Sequence, residues 1–416
     1  MKVLPSRSFV SFAVAIFLFS GSAVFARVYR GSEVFMRYFT GLVKGKRVGL
    51  VTNPTGVNAD LVSTADIFKK DRRINLTALF APEHGIRGNV TAGKHFLTSV
   101  DPNTGLTVYS LYDPKSKTHR PPADAMAKVD VLIYDIQDTG SRSYTYIWHL
   151  AEVMAAAAAY RKEVIVFDTP NPLGGMVVDG PIREEKYKSF IGLHPVPCAY
   201  GMTVGELARL MNKEFGLNCK LKIVPMVNYK RGMSWEQTGL PWVPTSPQIP
   251  SAESAALFAT TGVLGELGIV SMGVFYTIPF QVITAPWIDA RKMTDWLNSQ
   301  GLPGCRFREV HITPYYGLFA KESTHGVQIY ITDAKTYRPL MTTAAILCYL
   351  QKYCLGKGFK WRPDRVERFD KAVGTANMRH MIQKGYTFRQ VAASWKRELD
   401  GFEAKRRKYL IPEYDR

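Results

Sequence analysis

The sequence predicts an α/β protein: a parallel sheet domain with a cleft at its strand ends, followed by a second, α+β domain. Three observations point there. Four short β-rich apolar runs in the first half each end abruptly in polar residues, helical segments alternate with those runs, and a proline-dense stretch over 239–251 separates them from a second half of mixed character. The expected boundaries are 1–26 for a removable leader, 27–228 for the sheet domain and 229–416 for the second domain.

The leader is read from Lys2 and Arg7 ahead of the apolar run FVSFAVAIFLF, followed by AVFA, which sets Val24 and Ala26 where a signal peptidase needs small residues. The run is too short to span a bilayer, and no other segment is a candidate span. A secreted protein, periplasmic or extracellular, is expected. Across the 416 residues, 46% hydrophobic and 21% charged content describes a folded chain and excludes a disordered one. The formal net charge of +19 becomes +17 once Lys2 and Arg7 are removed. Outside the cytoplasm that surplus suits an anionic polymer or surface, with plain solubility as the alternative, and nucleic acid is not an expected partner. Lysine and arginine are densest in the tail, as on the solvated faces of terminal helices. Five irregularly spaced cysteines form no zinc pattern, and their odd number leaves at least one thiol unpaired.

The four runs are KRVGLVTN ending at Asn53, INLTALFAPEH ending at His84, VDVLIYDIQD ending at Asp138 and EVIVFDTPN ending at Asn171. LVSTADIFKK and YIWHLAEVMAAAAAYRK read as helices between them. In a parallel sheet all four polar endings fall on one edge, where ligands of open α/β sheets bind. MTVGELARLMNKEFG then reads as a helix opened by a capping box of Thr203 and Glu206, and LKIVPMVNY as the strand completing the first domain. Four prolines in GLPWVPTSPQIPS rule out a helix interior or central strand, so this segment is expected to cross over and help line the cleft. Beyond it, VQIYITD reads as a strand, and DARKMTDWLNSQ and TTAAILCYLQKYC as helices.

Two segments carry candidate chemistry. Glu83 and His84 end a strand, Gly85 permits a tight turn, and a carboxyl group partly shielded by Phe80 and Pro82 suits a general acid. The alternative is a structural glutamate paired with Arg87. The segment DIQDTGSRSYTY offers Asp135, Gln137, Asp138, Arg142, Tyr144 and Tyr146, a set of donors, acceptors and aromatic faces that suits a sugar. Arg142 or Arg87 would bind a substrate carboxylate bidentately. The alternative has the acids capping the next helix and the tyrosines starting its buried face. Glu83, His84, Asp135, Asp138 and Asp168 are metal-ligand types, but no HExxH or EF-hand spacing organises them, and GxSxG, Walker A and GxGxxG are absent. Neither a metal nor a cofactor is expected.

With these segments in place, the chain resembles the NamZ-type exo-β-N-acetylmuramidases, formerly a domain of unknown function. The matching blocks are GLVTNPTGV (49–57), APEHGIRG (81–88), DIQDTGSRSYTYI (135–147), PNPLGG (170–175), GMTVGELA (201–208), GLPWVPTSPQIP (239–250) and APWID (285–289). The resemblance implies an exo-acting glycosidase that removes N-acetylmuramic acid from non-reducing ends of peptidoglycan fragments, built as a Rossmann-like parallel sheet domain followed by a smaller α+β domain with the active cleft between them, and with the catalytic glutamate at Glu83. Asn53, Asn171, Ser246 and Gln248 fall in the same blocks as substrate contacts, with Glu266 nearby. A second group is usually required, at a carboxyl separation of roughly 5–5.5 or 6.5–9.5 Å according to stereochemistry, unless the substrate's own acetamido group serves. Asp135, Asp138 and Glu266 are the available acids. The chain also departs from the family: Met272 and Val274 stand where an acid and an arginine are usual, Tyr200 replaces a histidine, Thr169 an arginine and Gln248 an asparagine. The changes at Met272 and Val274 raise a second reading, a non-catalytic muropeptide- or glycan-binding relative, and the ligand-type side chains raise a third, a metal-dependent hydrolase.

Overall fold

The computed structural model describes residues 27–415 apart from 92, 115 and 117, so the expected leader at 1–26 lies outside the described residues. The first domain is built on strands β1 (Arg47–Thr52), β2 (Asn75–Ala81), β3 (Ser99–Val100), β4 (Thr107–Ser110), β5 (Val131–Asp135) and β6 (Glu163–Phe167), completed after a small excursion by β9 (Lys220–Val224). The sheet order is β3-β4-β2-β1-β5-β6-β9, parallel except for β3 at one edge. β1 lies centrally, in parallel register with β2 and β5. The excursion holds a two-stranded antiparallel pair, β7 (Val178–Asp179) and β8 (Ala199–Tyr200).

Each strand alternates its side chains between two cores, as the period of a strand requires. Leu50, Ile133, Ile165 and Phe167 meet Phe35 and Phe68 on one face. Leu132, Tyr134, Val164 and Val166 meet the helices Tyr146–Ala159 and Val204–Glu214 on the other. The expected capping box is present: the Thr203 hydroxyl accepts from the Glu206 amide, and the Glu206 carboxylate accepts from the Thr203 amide. Both faces being covered explains why these runs read as continuous apolar segments.

The second domain packs the helices Ala252–Gly265, Ala290–Ser299 and Pro339–Tyr349 against an antiparallel sheet ordered β10-β12-β11, with β10 at Val282–Ala285, β11 at Cys305–Ile312 and β12 at Thr324–Ile331. The chain then returns to the first domain. Tyr414 joins Val28, Met226 and Trp235 in a small core, and its hydroxyl donates to Asp168 (2.8 Å). The five cysteines are free thiols, and among the described residues no helix is long and apolar enough to cross a membrane.

Candidate active site

The carboxyl ends of β1, β2, β5 and β6 do converge on one edge. Asn53, one residue past β1, accepts through Oδ1 from the Thr55 amide (2.9 Å) and hydroxyl (2.5 Å). The Gln137 amide past β5 donates to that same hydroxyl (2.9 Å), locking the two endings together. Asn53 Nδ2, Gln137 Oε1, Asp138 Oδ1 and Thr139 Oγ1 are all buried and without a hydrogen-bond partner. Buried polar groups are nearly always paired, because an unmade bond costs about 1–3 kcal/mol. Four such atoms lie on two adjacent strand ends, two of them acceptors and one an amide donor, a concentration of unused hydrogen-bonding capacity.

Glu83 sits at the end of β2, half-buried, with Oε1 accepting from the Gly93 amide (2.7 Å). The next residue, His84, holds a left-handed backbone (φ 74°), as does Gly85 (φ 75°). A histidine tolerates that conformation only where neighbours fix it. Here His84 Nδ1 bonds the Val90 carbonyl (2.9 Å), so the ring closes the loop that carries Glu83. Beside Glu83 runs an aromatic ladder that sequence reading missed: His95 stacks on Tyr112 (4.5 Å), Tyr112 on His119 (5.4 Å) and His119 on Phe190 (3.5 Å). Burial, with a smaller push from the Glu83 charge, raises the Tyr112 hydroxyl, and burial lowers the His119 imidazole.

Asp138 accepts from the Gly140 amide (2.8 Å) and from the Tyr200 hydroxyl, both on Oδ2. Burial raises its carboxyl to about 7 against the pull of those bonds. Gly140 is at φ 85°, and a Cβ there would lie 2.1 Å from Asn171 Oδ1, so only glycine fits. Tyr200, one of the departures noted in the sequence, is therefore a direct partner of Asp138. Asp135 is placed differently. Its carboxylate accepts from Thr64 Oγ1 (2.6 Å) at the start of the helix Thr64–Lys70, near buried Arg30, and burial lifts it to about 6. It anchors that helix and leaves Asp138 as the strand-end acid with an unpartnered oxygen.

Several other expected contacts are internal. Arg142 is fully buried; its guanidinium donates to the carbonyls of Pro181, Val196, Ala372 and Val373 (2.6–3.0 Å), stapling the strand-end loop to the far end of the chain. Arg87 pairs with Asp101 (2.9 Å) and Asp66 (3.2 Å), not with Glu83. Both Nη atoms of Arg142 are thus taken up by the protein while its buried Nε has no partner, and Arg87 spends Nε and Nη2 on the two aspartates. Asn171 spends both amide atoms on Met202 and Leu173.

The proline-rich segment does cover the edge. The Tyr144 hydroxyl donates to Thr245 Oγ1 (3.0 Å) and contacts Ser246, and Tyr146 donates to the Thr245 carbonyl (2.5 Å). Tyr146 also lies beside Asn53 and within the field of Glu83. Across from Tyr144 stand Ile249, Phe258, Met272 and Val274, an apolar wall in which Phe258 meets the Tyr144 ring edge-on at 5.4 Å. Half-buried Gln248 lies in the same covering segment. Glu266 follows the helix Ala252–Gly265 as its C-cap, also half-buried. No three histidine, cysteine, aspartate or glutamate side chains come together as a metal site among the described residues.

Comparison with known proteins decides the family. The N-terminal domain of exo-β-N-acetylmuramidase NamZ matches residues 48–253, and its C-terminal domain matches residues 256–411. The chain belongs to the NamZ exo-β-N-acetylmuramidase family. The NamZ match changes over between 253 and 256, at the start of the helix Ala252–Gly265. Peptidoglycan β-N-acetylmuramidase NamZ of Bacillus subtilis is 39% identical over 385 residues, 92% of this chain and 91% of the relative. A DUF1343 family protein of Bacteroides fragilis superposes with a TM-score of 0.86 at 40% identity, over 92% of this chain and 99% of that one. A second from the same organism gives 0.72 at 30% identity, over 93% and 99%. Membership in the NamZ family makes this chain a glycosidase by descent.

Proposed function

We propose that this protein is an exported exo-β-N-acetylmuramidase, releasing N-acetylmuramic acid from the non-reducing ends of peptidoglycan fragments, with Glu83 as the general acid. The observation that carries the site is the set of four unpartnered buried polar atoms on Asn53, Gln137, Asp138 and Thr139. Together they offer the donors and acceptors that an acetamido group and neighbouring hydroxyls require. Tyr144, Tyr146 and the ladder beside Glu83 provide aromatic surface for the apolar side of a sugar. The relative whose name carries this activity shares the fold and most of the length of the chain.

In this reading Glu83 gives its proton to the leaving glycosidic oxygen, and Asp138 takes a proton or hydrogen bond from the attacking water or, where the substrate's acetamido oxygen attacks the anomeric carbon, from the acetamido N–H. Arg87 and Arg142 being bound within the protein, the substrate carboxylate falls to neutral donors such as Asn53 Nδ2. Met272 and Val274 favour one competing reading, a binding protein that holds the same glycan without cleaving it. A single assay separates them. Turnover of a muramyl-glucosaminide should release the terminal sugar, with and without chelator, and Glu83→Gln should lower the rate by about 10²–10⁴-fold. Saturable binding with no product in the wild type would establish the competing reading. An unchanged rate in Glu83→Gln would remove that residue from the mechanism.

A further inference from the structure

The amino ends of the parallel strands lie on the edge opposite Glu83 and Asp138, and that edge is cationic. Arg72 and Arg73 lead into β2, Lys46 and Arg47 into β1, and Arg161 and Lys162 into β6. Lys128 stands before β5, and Lys220 and Lys222 open β9. The acids among them are outnumbered. Glu163 alone faces Lys46 (2.8 Å), Lys222 (2.7 Å) and Lys220 (3.9 Å), Asp130 is shared by Arg47 (2.8 Å) and Lys162 (4.0 Å), and Asp71 pairs with Arg73 (2.7 Å). Lys44, Arg72 and Arg161 are exposed.

Helix C-termini attract cations within their last turn, and this accounts for Lys69 and Lys70 of the helix Thr64–Lys70. It does not account for the edge. The helix Tyr146–Ala159 has no basic residue in its last turn, and Arg47, Lys220 and Lys222 belong to strands.

Exposed aromatic rings flank the cations on both sides of the sheet. Tyr38 (64% exposed) and Phe39 (40%) follow the first-face segment that carries Phe35, held to the edge where Arg73 donates to the Met36 carbonyl (3.4 Å). Tyr160 (45%) ends the helix on the opposite face. From β2 to β9 the edge runs about 19 Å at roughly 4.8 Å per strand, with a layer of about 10 Å on either side. The result is a broad patch, not a groove.

We propose that this edge docks on the surface of an anionic phospholipid bilayer, so that the opposite edge and its cleft point away from the membrane. Cations gain from the negative potential of such a surface, and exposed tyrosine and phenylalanine gain from its interfacial layer. A soluble polyanion offers the first gain without the second, which is why the aromatic residues favour lipid.

The test is co-sedimentation of the mature chain with phosphatidylglycerol-containing vesicles and with pure phosphatidylcholine vesicles. Binding is expected only to the former, weakening as salt rises. The triple variant Lys44→Glu/Arg72→Glu/Arg161→Glu should bind at least about tenfold more weakly, with circular dichroism and glycosidase turnover of a soluble substrate unchanged. An equal charge reversal in the second domain, Lys357→Glu/Arg368→Glu/Lys384→Glu, should change binding by less than about twofold. Tyr38→Ser/Tyr160→Ser should lose the binding that survives at high salt. Equal losses in both triple variants, no binding to phosphatidylglycerol, or equal affinity for a soluble phosphodiester polymer with no effect of the tyrosine changes would each overturn the proposal.

Discussion

The wall formed by the strand ends and the wall formed by the helix Ala252–Gly265 with the segments before and after it differ in kind. The first presents Asn53, Gln137, Asp138 and Thr139 with unpartnered polar atoms, and the second presents Ile249, Phe258, Met272 and Val274. The two meet at Tyr144, which follows the strand-end loop in sequence and packs in the apolar cluster. Chemistry is thus concentrated on one side, and the other side contributes shape. Changes to the floor should alter rates and pH profiles, while changes to what joins the walls should alter stability.

The largest expected stability effect comes from Arg142, which belongs to the floor by sequence and to the join by structure. Arg142→Met leaves four carbonyls, on Pro181, Val196, Ala372 and Val373, without their donor. At about 1–3 kcal/mol for each unmade buried bond, partly recovered by relaxation, a loss of about 3–5 kcal/mol is expected, read as a lowered midpoint in chemical denaturation. Arg142→Lys should recover little of it, since an ammonium cannot span four acceptors set by a planar fork. Full stability with a raised KM would instead return Arg142 to substrate binding and break the contrast between the walls.

That residue also shows where sequence reading stops. The strand endings, the capping box at Thr203 and the crossing segment over 239–251 were legible, because each depends on residues close together in the chain. What Arg142 touches lies up to 231 residues away, and nothing local separates a clamp for substrate from a staple for the chain terminus. Asp135 and Asp138 are three residues apart and equally acidic in the sequence; the pleat alone turns one toward Thr64 and leaves the other open. Strand β11, CRFREVHI, went unread because its alternation slips phase at Glu309, where two polar residues stand in a row before Val310. The ladder of His95, Tyr112, His119 and Phe190 draws on four separate segments, so no single stretch announces it.

A pH experiment sharpens the polar side of the contrast. The folded carboxyl of Asp138 is raised to about 7 from an ordinary value of 3.8, burial being the main cause. The folded state therefore holds a proton that the unfolded state has already lost between those values, and stability is highest below about 4 and declines as pH rises through about 7. Asp138→Asn keeps the acceptor for the Gly140 amide and Tyr200 hydroxyl, puts an amide at the unpartnered position, and removes that titration. Its denaturation midpoint should fall less between pH 4 and 7 than that of the wild type. The limb of the kcat/KM profile near pH 7 should vanish, with activity lowered by about 10–100-fold. An unchanged profile would transfer the second role to Glu266 on the opposite wall.

The smallest effect is expected at Tyr144, which touches both walls. Its hydroxyl bonds Thr245 while its ring meets Phe258, so Tyr144→Phe removes the polar half of the contact and keeps the apolar half. The loss should be about 0.5–1.5 kcal/mol in stability, the usual net value of one hydrogen bond, with kcat changed by less than about threefold. Thermal unfolding and steady-state kinetics on the same preparation separate the two possibilities for this residue. A stability loss with near-normal kcat means that Tyr144 seats the proline-rich cover on the floor. A rate loss above about tenfold at full stability would mean that the hydroxyl reaches the sugar, and the boundary between chemistry and shape would then run through the second wall as well.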